Sequence, residues 1–320
     1  MSDLKRLKID DNIVPAKNKN IIHPLDPVVF VLGSNTYRYC IITTEGFTTT
    51  KFGKVLHNDL IGKRYGVKIE LKKGFLRLFK VNPRLWAKVI LHKTQIIYPT
   101  DCSFIVSQLD LRPGKVVFEA GTGSASLTHF LAQAVQPTGK VLTSEFHEDR
   151  AALARKDLGE HNLLETVEVF HRDVIKEGLP KADAIILDMP NPWNVISESL
   201  DATFNPERIC RLCVFLPCIE QAQKAVQIMT TKGYIDIKTY EVLLRNYQIS
   251  KAQLNVPNMG QNSIKFLPNG PTDADSKMHL YIFQLRISLR EKESSTSVVD
   301  KSMPGHTGFL TFGTKLPHFT

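Results

Sequence analysis

Val116-Val117-Phe118-Glu119-Ala120-Gly121-Thr122-Gly123 reads as a buried strand that runs into a glycine turn, and the turn opens a helix. The apolar run before Glu119 suits a strand covered on both faces. Beyond the turn, Leu127, Phe130, Leu131, Ala134 and Val135 recur at helical spacing on one face. A second short run, Val141-Leu142-Thr143-Ser144-Glu145-Phe146, closes on an acid, which falls at the same end of the sheet as the turn. Gly121 and Gly123 let backbone come within contact distance of a ligand that a Cβ would repel. Glu145 is suited to accept hydrogen bonds from two ribose hydroxyls. The combination predicts a nucleoside-binding crevice at the carboxyl ends of parallel strands.

The acids around the turn bear on which nucleoside. A dinucleotide site needs a third glycine and free amides facing a pyrophosphate, whereas residues 121–126 are Gly-Thr-Gly-Ser-Ala-Ser with Glu119 two positions ahead. Glu119 would repel a diphosphate and suits a cationic ammonium group, which S-adenosylmethionine carries. A glycine turn alone is only a turn; with Glu119 and Glu145 it favours a methyltransferase over a nicotinamide enzyme.

Composition permits this. The 320 residues are 42% hydrophobic and 23% charged, enough for one large domain and a smaller one. No apolar run reaches membrane-spanning length, and MSDLKRLKIDDN lacks the apolar core of a secretory signal. Five cysteines fit a reducing compartment. Cys210, Cys213 and Cys218 lie on an expected strand with no histidine nearby, which favours apolar packing over zinc, and no metal site is expected. The net charge of +9 is concentrated: residues 1–100 hold 18 Lys and Arg against 7 Asp and Glu. Cations from Lys63 to Lys93 alternate with Tyr65, Phe75, Phe79 and Trp86, which suggests a phosphate-contacting surface with stacking capacity; a solvated basic face is the plainer alternative.

Residues 1–95 show short β-rich segments between Gly, Asn and Pro turns and are expected to form a small β domain. From 96 to 320 strands and helices alternate, as in a doubly wound parallel sheet of the Rossmann-like class. Strands are expected at 116–120, 141–146, 167–170, 184–188, 211–217 and 235–243, with a helix at 219–232. Residues 308–315 return to a strand pattern that could close the sheet antiparallel. The segment 250–304 is polar and poorly periodic and is expected to be an insertion or mobile loop.

Ile185-Ile186-Leu187-Asp188-Met189-Pro190-Asn191-Pro192-Trp193 places a carboxylate at the crevice, followed by prolines and an aromatic ring. Amino-group-directed methyltransferases use such an arrangement, with acceptors for an exocyclic amine and an apolar wall for its ring. The alternative is that Asp188 caps the next helix. Asp173, after the third strand, is placed either to bind the adenine amino group of the cofactor or to serve as a turn aspartate.

Seven stretches in register, from His92–Asp101 through Glu119–Ser124, Glu145–His147, His171–Val174, Leu187–Pro190 and Pro217–Gln221 to His306–Phe312, resemble the catalytic subunit of tRNA (adenine-58-N1)-methyltransferase of the eukaryotic type. The resemblance implies methylation of N1 of an adenine in the T-loop of tRNA from S-adenosylmethionine, in the nucleus. It also implies a related non-catalytic subunit that helps bind tRNA, as a heterotetramer of two pairs. Cofactor contacts carried over by position fall on Ile97, Ser124, Ala125, Ser126, Glu145, Arg150, Asp173, Val174 and Asp188, and Gln95, Glu119, Gly121 and Gly123 are expected to bind the cofactor with them. Substrate contacts fall on Tyr98, Pro190, Pro192, Trp193, Pro217, His306 and Thr307, and the catalytic residue is Asp188. Ala125 stands where the family has glycine, and Arg84 where it has glutamate. A non-catalytic RNA-binding paralogue, and a methyltransferase of small molecules or proteins, remain the competing classes.

Overall fold

The computed structural model describes residues 20–33, 35–90, 94–198, 200–204, 207–257, 289–299 and 305–317. They form two compact units, one within 1–242 and 307–320, the other within 243–306. The first motif's His92 and Lys93 lie outside the described residues.

The first unit begins with β1 (Pro27–Val31), β2 (Tyr37–Ile41), β3 (Phe47–Thr50), β4 (Gly53–Leu56), β5 (Lys68–Leu71) and β6 (Gly74–Lys80). Four of these make an antiparallel sheet in the order β2-β1-β6-β5, and β3 pairs with β4 as a separate hairpin. Val28, Phe30, Leu76 and Leu78 bury the sheet against Ile22, Ile42 and Leu60. The β domain expected within residues 1–95 therefore has its own sheet and core, but it lies in the same compact unit as the larger sheet; the division of the chain falls around residues 243–306 instead. Helix α1 (Pro83–Val89) follows, opened by Pro83 and by Asn82, whose Oδ1 accepts from Leu85 N–H at 3.0 Å.

The larger sheet is built from α2 (Pro99–Gln108), β7 (Val116–Ala120), α3 (Ser126–Val135), β8 (Lys140–Glu145), α4 (Glu148–Glu160), β9 (Val167–His171), α5 (Val174–Glu177), β10 (Ala184–Leu187), α6 (Pro192–Glu198), α7 (Leu200–Thr203), β11 (Cys210–Leu216), α8 (Ile219–Thr231) and β12 (Ile235–Tyr240). In the second unit, β13 (Tyr247–Pro257) and β14 (Leu289–Val299) pair antiparallel, and β15 (Phe309–Lys315) returns to the first. The strand order is β12-β15-β11-β10-β7-β8-β9, parallel from β11 to β9, with β15 antiparallel to both neighbours. The chain steps from β7 outward to β9, then returns to β10 on the other side of β7. Strand order reverses there, and in such sheets the crevice opens at that point. One face is covered by α2, α3 and α4 through Ile105, Leu131, Val135, Ala154 and Leu158. The other is covered by α6, α7 and α8 through Val195, Leu200, Ala222, Ala225 and Met229. Cys213 and Cys210 sit in these two cores, as apolar packing predicts, but Cys218 is exposed ahead of α8.

The 250–304 segment, expected to be an insertion or mobile loop, falls within the second unit. Its described ends continue an eleven-residue ladder from Tyr247↔Val299 to Pro257↔Leu289, while residues 258–288 and 300–304 lie outside the described residues. A two-stranded ribbon holds through main-chain hydrogen bonds, and Ile249, Val298 and Val299 are exposed. Where burial is described along the ribbon, these apolar side chains face outward, so no period-two burial marks the strands there. The strand expected over 235–243 also ends early, at Tyr240.

Candidate active site

Three strand ends meet at the reversal point. β7 delivers the glycine turn, β8 delivers Glu145, and β10 delivers Asp188, whose N–H donates to Ala120 O at 2.9 Å. Gly121 has φ +101°, and a Cβ there would come within 2.0 Å of the Asp188 carbonyl oxygen. Only glycine lets these two strand ends close on each other. Gly123, at φ +52°, donates its N–H to Glu145 Oε2 at 2.9 Å. Ser124 Oγ lies 3.1 Å from Thr94 Oγ1, and Ser126 Oγ donates to Ile97 O at 3.0 Å, so the segment carrying Gln95, Ile97 and Tyr98 is tied to the start of α3. Gln95 and Tyr98 are exposed beside it.

The crevice is acidic. Glu119 is buried beneath the turn, where Oε2 accepts from Thr128 Oγ1 and Thr143 Oγ1, both at 2.7 Å. Burial pushes its carboxyl up to about 8, against the two threonine hydrogen bonds and with help from Asp188 and Glu145. Burial, with the Glu145 charge, raises Asp188 to about 7. Asp188 lies ahead of α6 rather than capping it, and its carboxylate has no ion pair among the described residues. Glu145 is engaged already: Oε1 accepts from His147 N–H at 3.0 Å and Arg150 Nε–H at 2.9 Å, with Arg150 Nη2 at 2.7 Å. It follows that Oε2, with one lone pair beyond the Gly123 bond, is the acceptor left for a ribose hydroxyl.

Asp173 is the N-cap of α5, its Oδ1 accepting from Ile175 N–H at 3.1 Å, so the turn-aspartate reading describes its bonding, and Val174 is buried behind it. Pro192 is buried at the start of α6, Pro190 and Pro217 are exposed, and the Trp193 ring carries Lys224 Nζ 3.9 Å from its centroid. Thr307 Oγ1 donates to Asp101 Oδ1 at 3.3 Å; His306 belongs to the second unit. Sequence reasoning missed Asp101, buried in α2, and Thr94. Asp101 follows Tyr98-Pro99-Thr100 as an ordinary first-turn acid and gave no signal of burial.

Glu119 and Glu145 are buried and Asp188 is half-buried; such a cluster of carboxyl groups is costly to ionise, and a cationic ligand offsets that cost where a diphosphate would add to it. The donor set fits S-adenosylmethionine for this reason: Glu145 Oε2 has an acceptor site open to a ribose hydroxyl, and the acidic crevice suits a cationic ligand. The glycine turn, the acids and the strand reversal define a Rossmann-like, S-adenosylmethionine-dependent methyltransferase. The fold is similar to that of an S-adenosylmethionine-dependent O-methyltransferase from Thermotoga maritima (TM-score 0.70, 23% identity, 94% of this chain and 97% of that one). It is similar also to that of a tRNA (m1A58) methyltransferase from Aquifex aeolicus (TM-score 0.65, 23% identity, 93% and 99%).

Residues 74–315 match the family described as the tRNA methyltransferase complex GCD14 subunit. The chain is 31% identical to a tRNA (adenine(58)-N(1))-methyltransferase catalytic subunit of Candida albicans, over 93% of this chain and 98% of that one. It is 32% identical to its counterpart in Dictyostelium discoideum over the same shares. The chain belongs to this family of tRNA methyltransferase catalytic subunits.

Proposed function

We propose that this chain methylates N1 of adenine 58 in the T-loop of tRNA, as the catalytic subunit of a two-subunit enzyme. The observation that carries the chemistry is the half-buried Asp188 carboxyl just past the end of β10, closed against the glycine turn through Gly121. S-adenosylmethionine supplies the electrophilic methyl group. N1 of adenine has a lone pair and needs no general base, so the protein's task is to aim that nitrogen and to accommodate the positive charge that develops on the ring. Asp188 does both, accepting from the exocyclic amine while its charge offsets the cation. Glu145 and Arg150 hold the ribose end, and Pro190, Pro192, Trp193 and Tyr98 wall the base.

Adenine 58 lies inside the tRNA elbow and must leave its stack to reach this depth. The β1–β6 region offers a surface for the opened strand: Lys54 Nζ sits 3.8 Å from the Phe47 ring centroid and Lys68 Nζ 4.5 Å from that of Phe75, both rings being exposed. Cation and stacking face together suit an unpaired nucleotide. A related non-catalytic subunit, in a heterotetramer of two pairs, completes the tRNA surface, and the complex works in the nucleus.

The test is Asp188→Ala in the chain purified with its partner subunit. Methylation of N1 is expected to fall on the order of a hundredfold or more, with S-adenosylmethionine affinity by calorimetry largely kept. Near-normal turnover removes Asp188 from the reaction, and a wild-type chain that binds no S-adenosylmethionine overturns the reading.

A further inference from the structure

The geometry points to His129 as a positioning residue for the cofactor turn, braced from the amino-terminal sheet by His161, Trp86 and Tyr39. This rests on the methyltransferase reading above. Ala125 is the residue on which the turn becomes α3, and it holds a left-handed conformation, φ +58° and ψ 27°, that a side chain makes costly. Something must hold it. His129, one turn into α3 and buried, places Nδ1 2.6 Å from the Ala125 carbonyl oxygen.

A carbonyl only accepts, so His129 Nδ1 carries the proton and Nε2 is bare. His161 Nδ1 lies 2.8 Å from that bare nitrogen and therefore donates to it, which leaves His161 Nε2 as an acceptor. Both rings are neutral, because burial pushes His129 down to about 4 and His161, also facing His129, down to about 3. His161 Nε2 and the indole Nε1 of Trp86, one acceptor and one donor, are both buried with no hydrogen-bond partner among the described residues, and their rings stand edge to face at 4.5 Å. Tyr39, from β2, packs on both Trp86 (5.5 Å) and His161 (5.8 Å) and donates its hydroxyl to Glu160 Oε2 at 2.9 Å. A cavity of about 110 Å³ lies between Tyr39 and Trp86 on one side and Gly123, Ser124 and Arg150 on the other. The strut thus joins the amino-terminal sheet to the glycine turn, and neither of its histidines lines that cavity.

The test uses full-length chain with its partner subunit. His129→Leu removes the donor and the acceptor; His129→Gln keeps an amide N–H for Ala125 and a carbonyl for His161. The Kd for S-adenosylmethionine is expected to rise roughly tenfold or more in His129→Leu and to recover to within about threefold in His129→Gln, with the KM for tRNA unchanged in both. Equal affinity in wild type and His129→Leu overturns the inference while leaving the methyltransferase reading standing. Loss of binding in wild type defeats that reading first. Should His129→Leu fail to fold, Trp86 emission in a Trp193→Phe chain decides. A change on cofactor titration that saturates with calorimetric binding supports the strut, and an unresponsive Trp86 overturns it.

Discussion

Asp188 combines two demands that pull against each other. The proposed reaction needs its charge, and its surroundings suppress that charge, holding the carboxyl near 7 through burial and the Glu145 carboxylate. With Asp188 in the proposed role, the free enzyme is expected to be only partly competent at neutral pH. The kcat/KM of the free enzyme should rise with pH through about 7 and level off above it, and the residual activity of Asp188→Asn should lack that limb. A pH–rate profile of the two proteins is the check; a flat wild-type profile between pH 6 and 8 would exclude an ionising Asp188. Asp188 was legible in the sequence because an acid directly after a fully apolar strand must arrive at the sheet's carboxyl edge. Glu119 was only half legible. Its position two residues before Gly121 identified the acid, but strand alternation turns its side chain inward to Thr128 and Thr143, and that pairing depends on neighbours that no spacing rule supplies.

The passage from β7 through the turn to α3 combines the two close fits of the crevice. At Gly121 the limit is space, and at Ala125 it is conformation. Ala125→Gly relieves the left-handed strain, roughly 1–2 kcal/mol, but gives back about 0.4–1 kcal/mol through a freer unfolded chain, so urea unfolding should show it equal to wild type or more stable by up to about 1.6 kcal/mol. Ala125→Val, β-branched at positive φ in a fully buried place, should lose upward of about 2 kcal/mol. If valine proved harmless, the left-handed bend would be wrong. The strand, the turn and the helix were readable from apolar spacing and glycine. The bend at Ala125 was not, since it is imposed by how α3 must lie on the sheet. The hairpin of β13 and β14 escaped for the opposite reason, being a ladder whose described apolar side chains, Ile249, Val298 and Val299, are exposed.

Across the whole molecule, buried acids and buried histidines set the pH range of stability from opposite sides. Glu119 binds a proton in the folded state up to about 8 but in the unfolded chain only up to about 4.5, so raising the pH between those values favours unfolding. His129 and His161 stay neutral when folded down to about 4 and about 3, whereas unfolded they protonate near 6.5, so lowering the pH below 6.5 also favours unfolding. Between about 4.5 and 6.5 the two trends oppose each other, and above 6.5 the acids act alone. Thermal unfolding should show Tm falling from pH 6.5 to 8, at about 1.4 kcal/mol per pH unit for each such group, and Glu119→Gln should remove much of that fall. An unchanged alkaline decline in Glu119→Gln would mean that Glu119 is ionised in the fold.

The place of β15 has a consequence for how the protein is made. β15 lies between β11 and β12, yet the whole of residues 241–308 separates it from β12 along the chain. As the polypeptide emerges from the ribosome, the strands bearing Gly121, Glu145 and Asp188 can pair in order, but β12 has no neighbour until β15 arrives to slot in antiparallel. During that interval the nascent sheet ends on the bare edge of β11, whose core-facing Leu212, Val214 and Leu216 are the residues most exposed to wrong partners.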